Sequence, residues 1–182
     1  MILYTDRLIL RRWEVTEAEE MFKYASDPDI GPITGWPPHE SIEDSQYVIE
    51  NVLTGEEAYA ICLREDNKPI GTIELKLGEK AELAEGGNGC ELGYWLGKPF
   101  WGQGIVPEAS RELIRHAFDD LGFDKIWCGY YDGNRKSMRA QEKLGFKYQG
   151  NKLINVPLMN EERIVHISLL TKEDWLKGIG KI

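Results

Sequence analysis

Two short stretches carry residue types that could do chemistry. In the first, Trp101-Gly102-Gln103-Gly104, a strand-like run enters a glycine-containing turn and a helix leaves it. No Ser, Thr, Asp or Asn stands at the cap, so the backbone N–H groups around Trp101 to Ile105 lack a side-chain acceptor. Gly102 and Gly104 let a ligand approach the main chain, and the helix start favours an anion such as phosphate. Alone, the tetrad reads equally well as a glycine-capped helix wetted by water. The second stretch is Asn134-Arg135-Lys136-Ser137, followed by Glu142-Lys143-Leu144-Gly145-Phe146. Asn134 either caps a helix or holds a ligand's backbone, and Ser137 is either a donor or a locally bonded hydroxyl. Glu91, facing opposite to Leu92 on its strand, is the better candidate base, and Glu108 more simply favours the positive end of its helix. Trp36 and His39, around Pro37 and Pro38, suit rigid pocket walls, although Trp36 could equally plug the core beneath a long loop.

The elements that position these residues follow from pattern. Leu8 to Arg12 alternates as a first strand. Thr16 to Glu19 reads as a capping box opening a helix that ends before Pro28. Residues 27–39 form an ordered loop, and Ser41, with Asp44 three residues on, caps a second helix. Ala58–Arg64 and Ile70–Leu77 are strands joined by a polar hairpin loop, and 78–89 is a solvated, glycine-rich loop. Cys90–Leu96 is a strand, and a helix from Gln103 to Leu121 buries Ile105, Ala109, Leu113, Ala117 and Leu121 as one stripe. Lys125–Tyr131 is a strand and Asn134–Leu144 a helix closed by Gly145. Strands at Phe146–Gln149 and Arg163–Leu170 follow, with Thr171 capping a terminal helical turn. The order β-α-α-β-β-β-α-β-α-β-β has no repeat and no boundary, so residues 1–182 read as a single domain.

Composition narrows the class. The 182 residues carry a net charge of -9, which disfavours nucleic acid and anionic membrane and tolerates cationic partners such as amines. No apolar run approaches the ~20 residues of a membrane helix. The start, MILYTDRLILRRW, lacks the pattern of a secretory signal. Cys62, Cys90 and Cys128 sit apart in apolar runs, as reduced thiols of a cytoplasmic protein would. The scattered His39, His116 and His166 argue against a metal site.

Trp101-Gly102-Gln103-Gly104 with Asn134-x-x-Ser137 and Glu142-Lys143-x-Gly145-Phe146, one strand apart and in this order, resembles the GNAT superfamily of N-acetyltransferases. Glu91-Leu92-Gly93-Tyr94-Trp95-Leu96, Pro107-Glu108-Ala109, the opening Thr5-Asp6-Arg7-Leu8 and the ending Lys172-Glu173-Asp174-Trp175 look most like its ribosomal-protein N-acetyltransferase branch. The resemblance covers nearly the whole chain. It implies an α+β fold: one GNAT-like domain with a mixed, mostly antiparallel sheet of about seven strands flanked by helices, splayed between strands 90–96 and 125–131. It implies acetyl-CoA as co-substrate without a metal. The pyrophosphate would lie on Trp101, Gly102, Gln103, Gly104 and Ile105, the pantetheine arm along Trp95 and Leu96, and Asn134 and Ser137 would also hold it. The acceptor is an amine, at a protein N-terminus or on a small molecule, entering near Trp36 and His39. A homodimer stays open.

The mechanism implied is direct attack of a neutral amine, with Glu91 as base and Ser137 as acid. A lysine amine, of pKa about 10.4, needs more help from the base than an α-amine near 7.7–8.0. Two positions depart from the family pattern. Pro99 stands where Arg or Gln is frequent and offers no donor. Gln141 stands where many relatives place an acidic Tyr, which leaves Ser137 as the expected donor and Tyr130 and Tyr131 as its rivals. The competing readings are a non-catalytic acyl-CoA-binding module and a nucleotide-binding protein. The latter lacks a Walker lysine-serine pair and a full G-x-G-x-x-G.

Overall fold

The structure, a computed structural model, describes residues 1–84 and 86–179. The chain opens with β1 (Leu3–Tyr4) and β2 (Leu8–Arg11), followed by α1 (Ala18–Ala25), α2 (Gly31–Thr34) and α3 (Ile42–Asn51). Next come β3 (Ala58–Leu63), β4 (Pro69–Lys76), β5 (Gly89–Leu96) and α4 (Ile105–Arg115). β6 (Lys125–Tyr131), α5 (Arg135–Lys143), β7 (Lys147–Val156), β8 (Glu161–Thr171) and α6 (Lys172–Ile179) complete it. The strands form one open sheet of eight, in the order β1-β2-β3-β4-β5-β6-β8-β7. Every neighbouring pair is antiparallel except β5–β6. The strand beyond the seven expected is the two-residue β1.

Side-chain alternation sorts the sheet into two faces. Cys90, Leu92 and Leu96 of β5, with Ile126 and Cys128 of β6, pack with Ile105, Ala109 and Leu113 of α4 and with Ala117 just beyond it. The stripe expected on α4 is therefore buried, apart from Leu121, which is exposed because the helix widens into a π-helical turn at His116–Asp120. Buried His116 bridges Asp120 at 2.8 Å and Glu57 at 3.1 Å there. On the other face Met21, Ala25 and Ile49 of α1 and α3 cover Ala60 and Cys62, with Trp36 and Trp95 beside them.

Several local expectations change. The capping pair is Glu14 and Glu17 rather than Thr16 and Glu19. Glu17 accepts the Glu14 N–H at 3.0 Å, and Arg11 holds the same carboxylate. The loop after α1 contains the short α2, which ends on Gly35 at φ 99°. The 78–89 loop is not wholly solvated, because Ala81 and Leu83 are buried. β7 runs far beyond Gln149, and α6 exceeds one turn. Ser41 and Asp44 cap α3 as expected, and Thr171 Oγ1 accepts the Asp174 N–H at 3.1 Å.

Candidate active site

The parallel pair β5–β6 sets the site. Four residues pair, from Gly89 with Lys125 to Leu92 with Cys128, and then the strands part. Gly93 and Gly129 stand at the parting. At Gly129 a Cβ would meet Leu83 Cδ1 at 2.5 Å and Val165 Cγ2 at 3.0 Å, so a larger residue would have to displace both side chains. Through this gap runs one cavity of about 1080 Å³ that touches residues of both sheet faces. It is lined by Ile105, Asn134 and Ser137 towards α4 and α5, and by Trp36, Glu74 and Glu91 towards α1 and α3.

On the α4 side the loop is held open. Gly102 and Gly104 have φ of 75° and 77°, values that penalise any residue with a Cβ. Among the described residues, the N–H groups of Gly102, Gln103, Gly104, Ile105 and Val106 meet no acceptor. They lie at the start of α4, where free N–H groups and the helix dipole favour an anion. Arg7 and Glu108 brace it. Arg7 donates to Glu108 at 2.7 Å and to the Gln103 carbonyl at 3.2 Å, and Thr5 donates to Glu108 at 2.6 Å. Glu108 thereby ties the opening strands to α4, and these bonds hold its carboxyl below the usual range although burial opposes them. The Gln103 side-chain Nε2 donates to the Pro99 carbonyl at 2.8 Å, which turns this donor away from the loop's free N–H groups. The Trp101 indole donates to Leu96 O at 2.8 Å, and Lys136 Nζ sits 3.7 Å from the centre of its ring. Lys136, Arg139 and Lys143 of α5 give this mouth a basic edge.

Asn134 caps α5, accepting the Ser137 N–H at 3.1 Å. Ser137 Oγ lies 2.8 Å from the Tyr94 hydroxyl and 3.3 Å from Gln141 Nε2. Of the rivals named from sequence, Tyr130 stacks on His166 with ring centres 4.9 Å apart. Tyr131 faces the opposite side of the sheet, under the Arg163 guanidinium. Tyr94 was missed. Its strand register, three residues after Glu91 and so on the opposite face, was the available signal.

The α1–α3 side is built from side chains. Trp36 meets Trp95 at 5.9 Å and His39 at 5.3 Å, so it both lines the cavity and packs the second core. His39 Nδ1 is 2.7 Å from Ser45 Oγ, and burial pushes its pKa down. Trp95 therefore presents its ring here rather than on the α4 side. Glu91 is buried with both oxygens engaged, by Lys76 Nζ at 3.0 Å and by the Leu83 N–H at 3.0 Å. It anchors the loop whose Leu83 lines the cavity. Burial works against the Lys76 charge, but Glu91 and Glu74 outweigh it and raise its pKa. Glu74, opposite Gly93, also lines the cavity. Burial raises its pKa, which Lys76 only partly offsets. Sequence reading passed over Glu74, because an alternating strand does not reveal which carboxylate finds a partner.

No cysteine suits a nucleophile. All three are buried, and burial pushes Cys62 and Cys90 up to about 12 and Cys128 upward as well. Among the described residues no cluster could hold a metal ion, and no helix is long and apolar enough to cross a membrane.

One parallel pair that parts within an otherwise antiparallel sheet, with helices on both faces, places the chain in the α+β class. The chain belongs to the GNAT acetyltransferase family: the model of the acetyltransferase (GNAT) domain matches residues 7–147. The chain is 29% identical to p20, an uncharacterized N-acetyltransferase of Bacillus licheniformis, over 81% of this chain and 83% of that one. It is 36% identical to YdaF of Bacillus subtilis, provisionally named a ribosomal N-acetyltransferase, over 47% of each. A GNAT acetyltransferase structure from Bacillus anthracis shares the fold, with a TM-score of 0.82 and 21% identity, covering 95% of this chain and 99% of that one.

Proposed function

We propose that this protein transfers the acetyl group of acetyl-CoA to a cationic primary amine, the two substrates meeting in the β5–β6 gap from opposite faces of the sheet. The observation that carries the reading is a continuous cavity with, among the described residues, unpartnered N–H groups at one end and the Glu74 carboxylate at the other. The N–H groups of Gly102 to Ile105 suit the pyrophosphate, and Lys136, Arg139 and Lys143 suit a further phosphate. Trp101 frames this end, and Asn134, with its Nδ2 free of partners among the described residues, faces the arm along Leu96 and the Trp95 backbone.

At the acceptor end the ionisable lining among the described residues is acidic, with Glu40, Asp44, Glu74, Glu82 and Glu91 against Lys76 alone among Lys and Arg, and Trp36 and His39 form its wall. Such a lining favours an ammonium. Attack requires the neutral amine, so a carboxylate must take a proton first. Glu74 suits that base better than Glu91, whose oxygens are already committed, and a raised pKa makes it a stronger base. The amine nitrogen then bonds to the acetyl carbon, the C–S bond breaks with its electron pair moving to sulfur, and the nitrogen's second proton passes to that sulfur. Ser137 donates a hydrogen bond to that sulfur. The sums balance as ammonium plus thioester giving amide, thiol and one proton.

The test is thiol release from acetyl-CoA in the presence of protein N-terminal peptides, diamines and amino sugars. Acetyl-CoA-dependent release with an amine is expected. Binding without release by any acceptor would leave a non-catalytic acyl-CoA-binding module.

A further inference from the structure

Gln141 is 1% exposed and lies where the β6 backbone has left β5. Its Nε2 donates to the Gly129 carbonyl at 3.2 Å. A carbonyl can only accept, so the amide face turned to Gly129 must be the nitrogen, whichever way a side-chain amide is drawn. The same nitrogen reaches Ser137 Oγ at 3.3 Å, so Ser137 accepts there. The orientation leaves Gln141 Oε1 buried without a partner among the described residues. Packing alone has no use for that orphan.

Tyr94 approaches from β5, its hydroxyl 2.8 Å from Ser137 Oγ and 3.5 Å from the Ser137 carbonyl oxygen. Burial pushes its pKa up, keeping the phenol protonated and able to donate. A serine hydroxyl has two lone pairs and one proton. Either hydroxyl of the Tyr94–Ser137 pair can donate; in the arrangement where Tyr94 does, Gln141 and Tyr94 occupy both lone pairs of Ser137 and leave only its proton free. Ser137 lines the cavity, so that proton is left for a group bound there.

We infer that Gln141 and Tyr94 are positioning residues that turn the Ser137 hydroxyl into an outward donor aimed at the departing sulfur. Gln141, at the place where relatives often carry the acid itself, thus orients a neighbour one helical turn away. The inference rests on the reading of Ser137 as the donor to sulfur. No proton leaves Tyr94 or Gln141. Each only strengthens the O–H donor of Ser137 as negative charge grows on sulfur.

The test is a set of double-mutant cycles read in kcat, in KM for acetyl-CoA and in acetyl-CoA affinity by calorimetry. Tyr94→Phe keeps the ring and Gln141→Met the volume, and retained melting temperatures check folding. Ser137→Ala is expected to lower kcat about a hundredfold, the low end for acid assistance, because a thiolate already leaves well. Tyr94→Phe and Gln141→Met should each lower kcat about fivefold with KM and affinity unchanged, the worth of one neutral hydrogen bond. Combined with Ser137→Ala, either should add less than about twofold. Equal losses with and without Ser137, or no loss in either, would overturn the inference. If Ser137→Ala keeps full kcat, the donor reading and this inference fall together. Failure of the parent protein to bind acetyl-CoA at all would instead sink the proposed function.

Discussion

The cavity's two ends are made of different material. Towards α4 the binding groups are main-chain N–H donors, held apart by two glycines at positive φ and braced by Arg7 and Glu108. Towards α1 and α3 they are side chains: a carboxylate, an ion pair and aromatic walls. Backbone geometry is set by local sequence, because glycine at φ near 75° and a helix without a polar cap leave the chain few alternatives. A side-chain site depends on which groups three separate elements bring together, and that is fixed only by the fold. The first end therefore suits a ligand part common to many acceptors' reactions, and the second suits whatever amine this protein serves.

The comparison breaks most sharply at Glu74. Glu74→Gln is expected to lower kcat/KM for the amine about 10²–10⁴-fold at neutral pH, measured by thiol release, with acetyl-CoA affinity unchanged. Burial raises the Glu74 pKa, so the acidic limb of the parent's pH–rate profile should fall at higher pH than an ordinary glutamate would give. Activity is lost as pH drops through that value, and the limb should vanish in Glu74→Gln. Loss of activity with an unchanged limb would assign the base to another group, with Glu91 next in line.

Gly104→Val sharpens the other half. A β-branched residue at φ 77° is strained, and its side chain would enter the loop beside Arg7. Acetyl-CoA affinity should weaken about tenfold or more by calorimetry, while Trp36 and Glu74 are untouched.

The smallest effect is on stability. A carboxyl whose folded pKa is raised favours folding when protonated, so Glu74 costs stability at pH values above that pKa and the cost disappears in acid. Glu74→Gln should therefore raise the melting temperature by about 2–4 °C at pH 7 and change little at pH 4. Glu91→Gln should lower it at pH 7, because Lys76 is left half-buried without its partner. Equal shifts in both variants would mean the two carboxylates share one environment.

This division explains what could be read beforehand. β6 was legible to the residue, and α4 and the capping of α3 nearly so, because periodicity and caps are local signals. The gap was legible only through resemblance. Asn134 and Ser137, singled out from sequence, both line the cavity, but the Tyr94 and Gln141 contacts of Ser137 do not follow from spacing along α5 alone. Glu91 and Glu74 lie seventeen residues apart on neighbouring strands, and only the register, Glu74 opposite Gly93 and Lys76 opposite Glu91, decides which is paired. The buried Leu83 was hidden by the polar residues around it in the 78–89 loop.

The central claim is the division itself, and calorimetric titration of acetyl-CoA into the parent protein, Gly104→Val and Glu74→Gln tests it most directly. Binding to the parent, a loss of about tenfold or more in Gly104→Val and an unchanged affinity in Glu74→Gln are the expected results. No binding by the parent, or equal weakening in both variants, would contradict the account.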